Sequence, residues 1–256
     1  MTTLTVSDGC VVLTGAGSGL GRAMAVALTA RGFTVFGFGR TPGALRETHA
    51  QCHGGAFYPV AQDVADSVSV AEEIDRIEAD HGPIALLINN AATYPKVDFL
   101  EASASDFMAV VNTNLGGMVN CSHAVLRHMA ERGRGRVLNV ATFADLNPLP
   151  TSSAYSVSKG AARILTRALV ADLGDRFPDI VIGDWMPGML KTRMGIPDGL
   201  PPEVSAEWGV ALALWADPAL NGTTFEQNTE VLPPIGLKGK IKALLTGKRR
   251  KPRVIG

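Results

Sequence analysis

The chain has 256 residues, 46% of them hydrophobic, with 24 basic and 24 acidic side chains. That size and apolar content suit one α/β domain around a single core rather than two domains. A zero net charge leaves no overall field that would select nucleic acid as a partner. The balance is uneven, however: no acid follows Glu230, while eight bases lie between Lys238 and Arg253.

Cys10, Cys52 and Cys121 are odd in number and scattered, which suits a reducing, cytoplasmic setting rather than a disulfide framework. No charged start followed by an apolar run marks a leader, and no stretch is apolar for long enough to cross a bilayer. His49, Cys52 and His53 match no zinc spacing, so no metal is expected.

In chain order, a short apolar run, residues 10–13, leads into Thr14-Gly15-Ala16-Gly17-Ser18-Gly19-Leu20-Gly21, and a helical stretch, residues 20–30, leads out. Strand, glycine turn and helix in that order aim backbone N–H groups and a helix N-terminus at an anion, here a pyrophosphate. Gly15 permits the tight turn, Gly19 leaves room for a phosphate, and Gly21 lets the helix lie close on the sheet. Strands are expected at residues 11–13, 34–38, 56–60, 84–89, 136–140 and 180–185, and further helices at 42–51, 67–81, 105–131 and 153–177. Such alternation predicts a Rossmann-type, doubly wound parallel sheet with helices on both faces.

The second strand ends at Arg40 and Thr41, where an acid would hold the ribose hydroxyls of NAD. An arginine there can instead pair with a 2′-phosphate, which points to NADP(H). The third strand ends at Asp63 and Val64, placed for an adenine amino group and ring. The fourth ends Asn89-Asn90-Ala91-Ala92, whose amides can tie neighbouring strand ends together. Asn112, Asn114, Gly116 and Gly117 weaken the interior of the helical pattern at 105–131 and predict a local distortion there, able to free a main-chain carbonyl for an ordered water. Tyr155 and Lys159 are four apart at the start of the next helix and share one face.

Taken together and in this order, these motifs are similar to those of the short-chain dehydrogenase/reductase family, over roughly residues 8–230. The residues that carry the resemblance are Thr14, Gly15, Gly19 and Gly21, then Asp63 and Val64, Asn89-Asn90-Ala91, and Asn114 in Asn-Leu-x-Gly. Tyr155 with Lys159, and Pro187-Gly188 with Thr192, complete the set. The resemblance implies a single catalytic domain over residues 1–232 with a seven-stranded sheet, and a basic extension over 233–256. It implies hydride transfer between NADP(H), with NAD(H) the second choice, and a ketone or secondary alcohol. Gly17, Ser18, Leu20, Asn90, Ala91 and Ala92 would join the cofactor contacts. Tyr155 would be the general acid and base, with Lys159 lowering its pKa and holding the nicotinamide ribose. Asn114 would anchor a water, and Thr142 would bond the substrate oxygen where the family usually has serine. Two other departures are Ala92, where a glycine is usual, and the absence of the usual Gly-Gly near the C-terminus. A cofactor-binding scaffold that turns over little is the alternative function.

The substrate loop is expected between Gly188 and Pro202, with Met186, Met189, Leu190, Met194, Phe143, Leu146, Leu149 and Tyr94 as candidate walls for a fairly apolar substrate. In the tail, Leu237, Ile241, Leu244 and Leu245 are spaced for one helical face. The favoured reading is a short helix packed on the body or on another subunit and ending in a solvated basic tip. Contact with an anionic membrane surface, and steering of an acidic carrier protein bearing the substrate, rank below it. The two long helical stretches resemble those that pair subunits in this family, so a homodimer or homotetramer is expected.

Overall fold

Every residue of Cys10–Thr14 (β1) and of Ile84–Asn89 (β4) is buried, as strands covered on both faces must be. The computed structural model describes residues 2–233 and 250–256. Val35–Gly39 (β2), Phe57–Ala61 (β3), Arg134–Val140 (β5), Asp179–Met186 (β6) and Thr224–Glu226 (β7) run parallel to β1 and β4. The sheet order is β3-β2-β1-β4-β5-β6-β7, with Thr229–Val231 (β8) beyond β7. Because the order reverses between β1 and β4, a crevice opens beyond their carboxyl ends, where α/β sheets bind ligands.

Gly19–Ala30 (α1) and Pro202–Leu214 (α7) cover one face around Leu13, Met24, Leu28 and Val210. Ser67–His81 (α3), Gly117–Arg132 (α5) and Ser153–Leu173 (α6) cover the other, around Val12, Ile74, Val125 and Ile182. Pro42–His49 (α2) packs beside β3, and Ala104–Val111 (α4) against α6. This is the doubly wound α/β sheet that the alternation predicts.

The seven parallel strands expected are present, and among the described residues an eighth is added at the edge. Thr229–Val231 (β8) returns antiparallel to β7 after a turn at Gln227, whose φ is 50°. The helix expected at 105–131 is interrupted: α4 gives way to a π turn at Asn112–Gly116 before α5 begins. That is where asparagine and glycine weaken the pattern, and such turns gather at functional sites. Helix α7 has no counterpart in the periodicity, because its buried residues (Ser205, Ala206, Gly209, Val210, Leu212, Ala213 and Leu214) run round the helix rather than along one stripe.

The helical pattern at Leu237, Ile241, Leu244 and Leu245 lies outside the described residues. The chain end corrects the expectation of a solvated tip. Val254 bridges Thr229 in antiparallel fashion, Ile255 is buried in the core, and its amide donates to the Asn228 carbonyl. Arg250 and Arg253 both reach the carboxylate of the buried Glu230, at 2.6 and 3.4 Å.

Candidate active site

The glycine turn folds as its residues dictate. Gly15 has a φ of 70°, which a side chain would strain. A Cβ on Gly21 would stand 2.1 Å from the Gly15 carbonyl oxygen, so α1 can lie this close only with glycine there. Ser18 caps α1, is exposed and spends no side-chain bond on the helix. Beside this turn is a cavity lined by Gly15, Gly17, Ser18, Arg40, Thr41, Asp63, Val64, Ala91 and Ala92, all expected from the sequence. Phe38, Gly39, Ala44, Gln62 and Thr113 complete the lining. Arg40 and Thr41 are exposed at its rim. The Asp63 carboxylate also accepts the Ala65 amide, at 3.0 Å.

Several expected residues support the cavity instead of lining it. The Thr14 hydroxyl accepts the amides of Asn90 and Ala91, each at 2.9 Å, and the Asn90 side chain donates to the Thr14 carbonyl at 2.9 Å. Those bonds clamp β1 to β4 at the crevice. Leu20 is buried. A Cβ on Gly19 would meet the Thr192 methyl at 3.2 Å, which puts the loop after β6 over the turn. In that loop Gly188 takes a φ of 85°, and the Pro187 carbonyl accepts the Ser205 hydroxyl at 2.9 Å.

The second half of the site stands on α6. Tyr155 lies under Tyr94, with ring centroids 4.4 Å apart and planes 25° apart. Burial pushes the phenol above its ordinary pKa, hydrogen bonding from Thr142 opposes the rise, and Tyr94 adds to it. The direction is opposite to the one expected from a neighbouring ammonium. The Thr142 hydroxyl also accepts the Ala144 amide, at 3.3 Å. Lys159 is buried, and its ammonium donates to the Val140 carbonyl at 2.8 Å. Burial brings it down to about 8, against the pull of the Asp184 charge.

Asn114 joins the two halves. Its Oδ1 accepts the Thr93 amide at 2.7 Å, and its Nδ2 donates to the Thr93 carbonyl and to Ser158 Oγ, each at 3.0 Å. Ser158 in turn donates to the Tyr155 carbonyl at 2.7 Å. The π turn therefore ties the cavity wall at Thr113 to the backbone of Tyr155. Sequence reasoning missed Ser158, whose only signal is its place three residues after the tyrosine. Of the proposed substrate walls, Met186 and Leu190 are core residues, while Phe143, Leu146, Leu149, Met189 and Met194 are exposed.

Residues 9–199 match the family model for short chain dehydrogenase. The probable oxidoreductase EphD of Mycobacterium tuberculosis is 36% identical over 169 residues, covering 65% of this chain and 28% of that relative. The gluconate 5-dehydrogenase of Gluconobacter oxydans is 30% identical over 191 residues, 74% of each chain. Carbonyl reductase (NADPH) 2 of Sus scrofa is 34% identical over 185 residues, 72% of each chain. A short chain dehydrogenase structure from Bacillus anthracis shares the fold with a TM-score of 0.79, at 24% identity, over 87% of this chain and 95% of that one.

Proposed function

The chain belongs to the short chain dehydrogenase family, and from that membership we propose that it is an NADP(H)-dependent oxidoreductase acting on a fairly apolar ketone or secondary alcohol. The observation that carries this reading is the link from the cavity at the glycine turn, through Thr113, Asn114 and Ser158, to the backbone of Tyr155. The cavity suits an adenosine and a pyrophosphate. Amides at Gly17 to Leu20 would hold the pyrophosphate, Arg40 and Thr41 would hold a 2′-phosphate, and Asp63 and Val64 would take the adenine. Asn90, Ala91, Ala92, Pro187, Gly188 and Thr192 would bound the path towards α6, where Lys159 and Tyr155 would hold the nicotinamide ribose. When bound, NADPH supplies the hydride.

Tyr155 gives its proton to the carbonyl oxygen during reduction and takes one back during oxidation. Its burial keeps the phenol protonated near neutrality, the form that reduction needs. Oxidation needs the phenolate, which the Lys159 ammonium and the positive charge of oxidised nicotinamide favour. Thr142 bonds the same carbonyl oxygen, with its methyl restricting the rotamer. A main-chain carbonyl of the π turn around Asn114 would hold a water through which Lys159 regains protons from solvent. Apolar side chains at Phe143, Leu146, Leu149, Met189 and Met194 favour an apolar substrate. Exposed Met108, Val157 and Ile164 on α4 and α6 support pairing of subunits through those helices. The three free cysteines fit a reducing, cytoplasmic setting.

A second reading, a cofactor-binding scaffold with little turnover, is favoured by the Tyr94 ring that covers Tyr155. NADPH oxidation over a panel of ketones, repeated with Tyr155→Phe, separates the two. The enzyme reading predicts turnover that falls by ~10²–10⁴ in the variant while NADPH binding persists. NADPH binding with no turnover in the unmodified protein selects the scaffold, and turnover that survives Tyr155→Phe rejects the assigned acid.

A further inference from the structure

One buried acid takes no part in that chemistry. Asp184 lies in β6 with 4% of its surface exposed, in the otherwise apolar run Ile180 to Met186 apart from Gly183. Its Oδ1 accepts the Thr166 hydroxyl at 2.6 Å. Thr166 Oγ1 accepts Asn139 Nδ2 at 2.9 Å, and Asn139 Oδ1 accepts Asn89 Nδ2 at 2.9 Å. The second Asn89 proton goes to Ser122 Oγ at 3.0 Å. One side-chain donor each of Asn89, Asn139 and Thr166 points along the run towards Asp184, and dipoles aligned this way favour a negative charge at its end.

The charges around it narrow what that negative charge serves. Helix α6 presents Lys159, Arg163 and Arg167, and β5 contributes Arg136. Arg163 already pairs with Asp145 at 2.7 Å. Arg136 is held by the carbonyls of Val137, Val181 and Leu212. Arg167 is exposed and screened by solvent. Lys159, also buried, bonds the carbonyl of Val140, the residue after Asn139, which pairs in register with Asp184, whereas Arg136 reaches to the Leu212 carbonyl of α7. Lys159 and Thr166 are seven residues apart, two turns along one buried face of α6, so the residue that grips Asp184 shares a face with the ammonium.

We propose that Asp184 is a positioning residue for this site, the buried counter-charge that keeps Lys159 protonated and so sets the pH range in which Tyr155 exchanges its proton. This rests on the roles given above to Tyr155 and Lys159. Burial pushes Asp184 up to about 7 and Lys159 down to about 8. Above about 7 the carboxylate is present, and below about 8 the ammonium is present, so both charges coexist between those values. Removing the carboxylate withdraws the interaction that raises Lys159, and the lysine then loses its proton at a lower pH.

The test is Asp184→Asn, which keeps an oxygen for the Thr166 hydroxyl. In the cofactor-free protein labelled with ¹³C at lysine Cε, the Lys159 signal, assigned by its loss in Lys159→Met, is titrated by NMR. Its midpoint is expected to fall by roughly half to one unit in Asp184→Asn. The alkaline limb of kcat/KM for NADPH-dependent reduction is expected to move down with it. Thr166→Val, which removes the donor that stabilises the carboxylate, is expected to shift the midpoint the same way by less, and it decides the matter if Asp184→Asn does not fold. An unchanged Lys159 midpoint in a folded variant overturns the proposal. Absence of turnover in the unmodified protein counts against the enzyme reading, while the NMR midpoint still judges the pairing of Asp184 with Lys159.

Discussion

Arg40 is the residue on which the choice of cofactor turns. It is exposed at the cavity rim, at the end of β2, with Thr41 beside it and no acid in that place. Charge-assisted bonds of this kind contribute about 1.5–3 kcal/mol each, a factor of roughly 10–100. Arg40→Ala is therefore expected to weaken NADPH binding by that factor and to leave NADH binding nearly unchanged, as read by fluorescence titration. Equal losses for both cofactors would remove Arg40 from the 2′-phosphate. Tyr155 and Lys159 were legible as residues because a helical repeat fixes their common face. Ser158 and the Tyr94 ring over Tyr155 were not, since each depends on a contact between distant segments. Asp184 did leave a signal, an acid inside the apolar run Ile180 to Met186, but nothing in the sequence says which cation it faces.

Among the elements, the π turn between α4 and α5 and the returning chain end carry the most information. The first was legible, because Asn112, Asn114, Gly116 and Gly117 all oppose a regular helix and the helix breaks there. The second was not, because a segment with three bases among residues 250–253 reads as a solvated tip until Glu230 is seen buried beneath it. Ile255 is buried by this return, a contribution of about 1.5–3 kcal/mol. Each kcal/mol moves the melting temperature of a chain this long by roughly 2–4 °C. Deleting residues 250–256 is expected to lower Tm by roughly 3–12 °C and to leave turnover of a small ketone at low temperature in place. An unchanged Tm would show that the segment does not hold the sheet edge in solution.

At the scale of the whole molecule, the reversal of strand order between β1 and β4 decides where a cofactor can lie. The alternation of strands and helices was enough to predict this arrangement. It gave no sign of α7, whose apolar residues encircle the helix, or of β8, which is only three residues long. The same layout puts the glycine turn at the end of β1, and α6 beside β6, on two sides of one crevice bridged by Asn114. A crystal structure of the protein with NADP⁺ and a ketone tests that layout most directly. The nicotinamide C4 is predicted to lie about 3–3.5 Å from the carbonyl carbon, with the carbonyl oxygen in hydrogen-bond reach of the Tyr155 phenol and the 2′-phosphate on Arg40. A nicotinamide ring bound away from α6, or a phenol turned from the carbonyl, would contradict it.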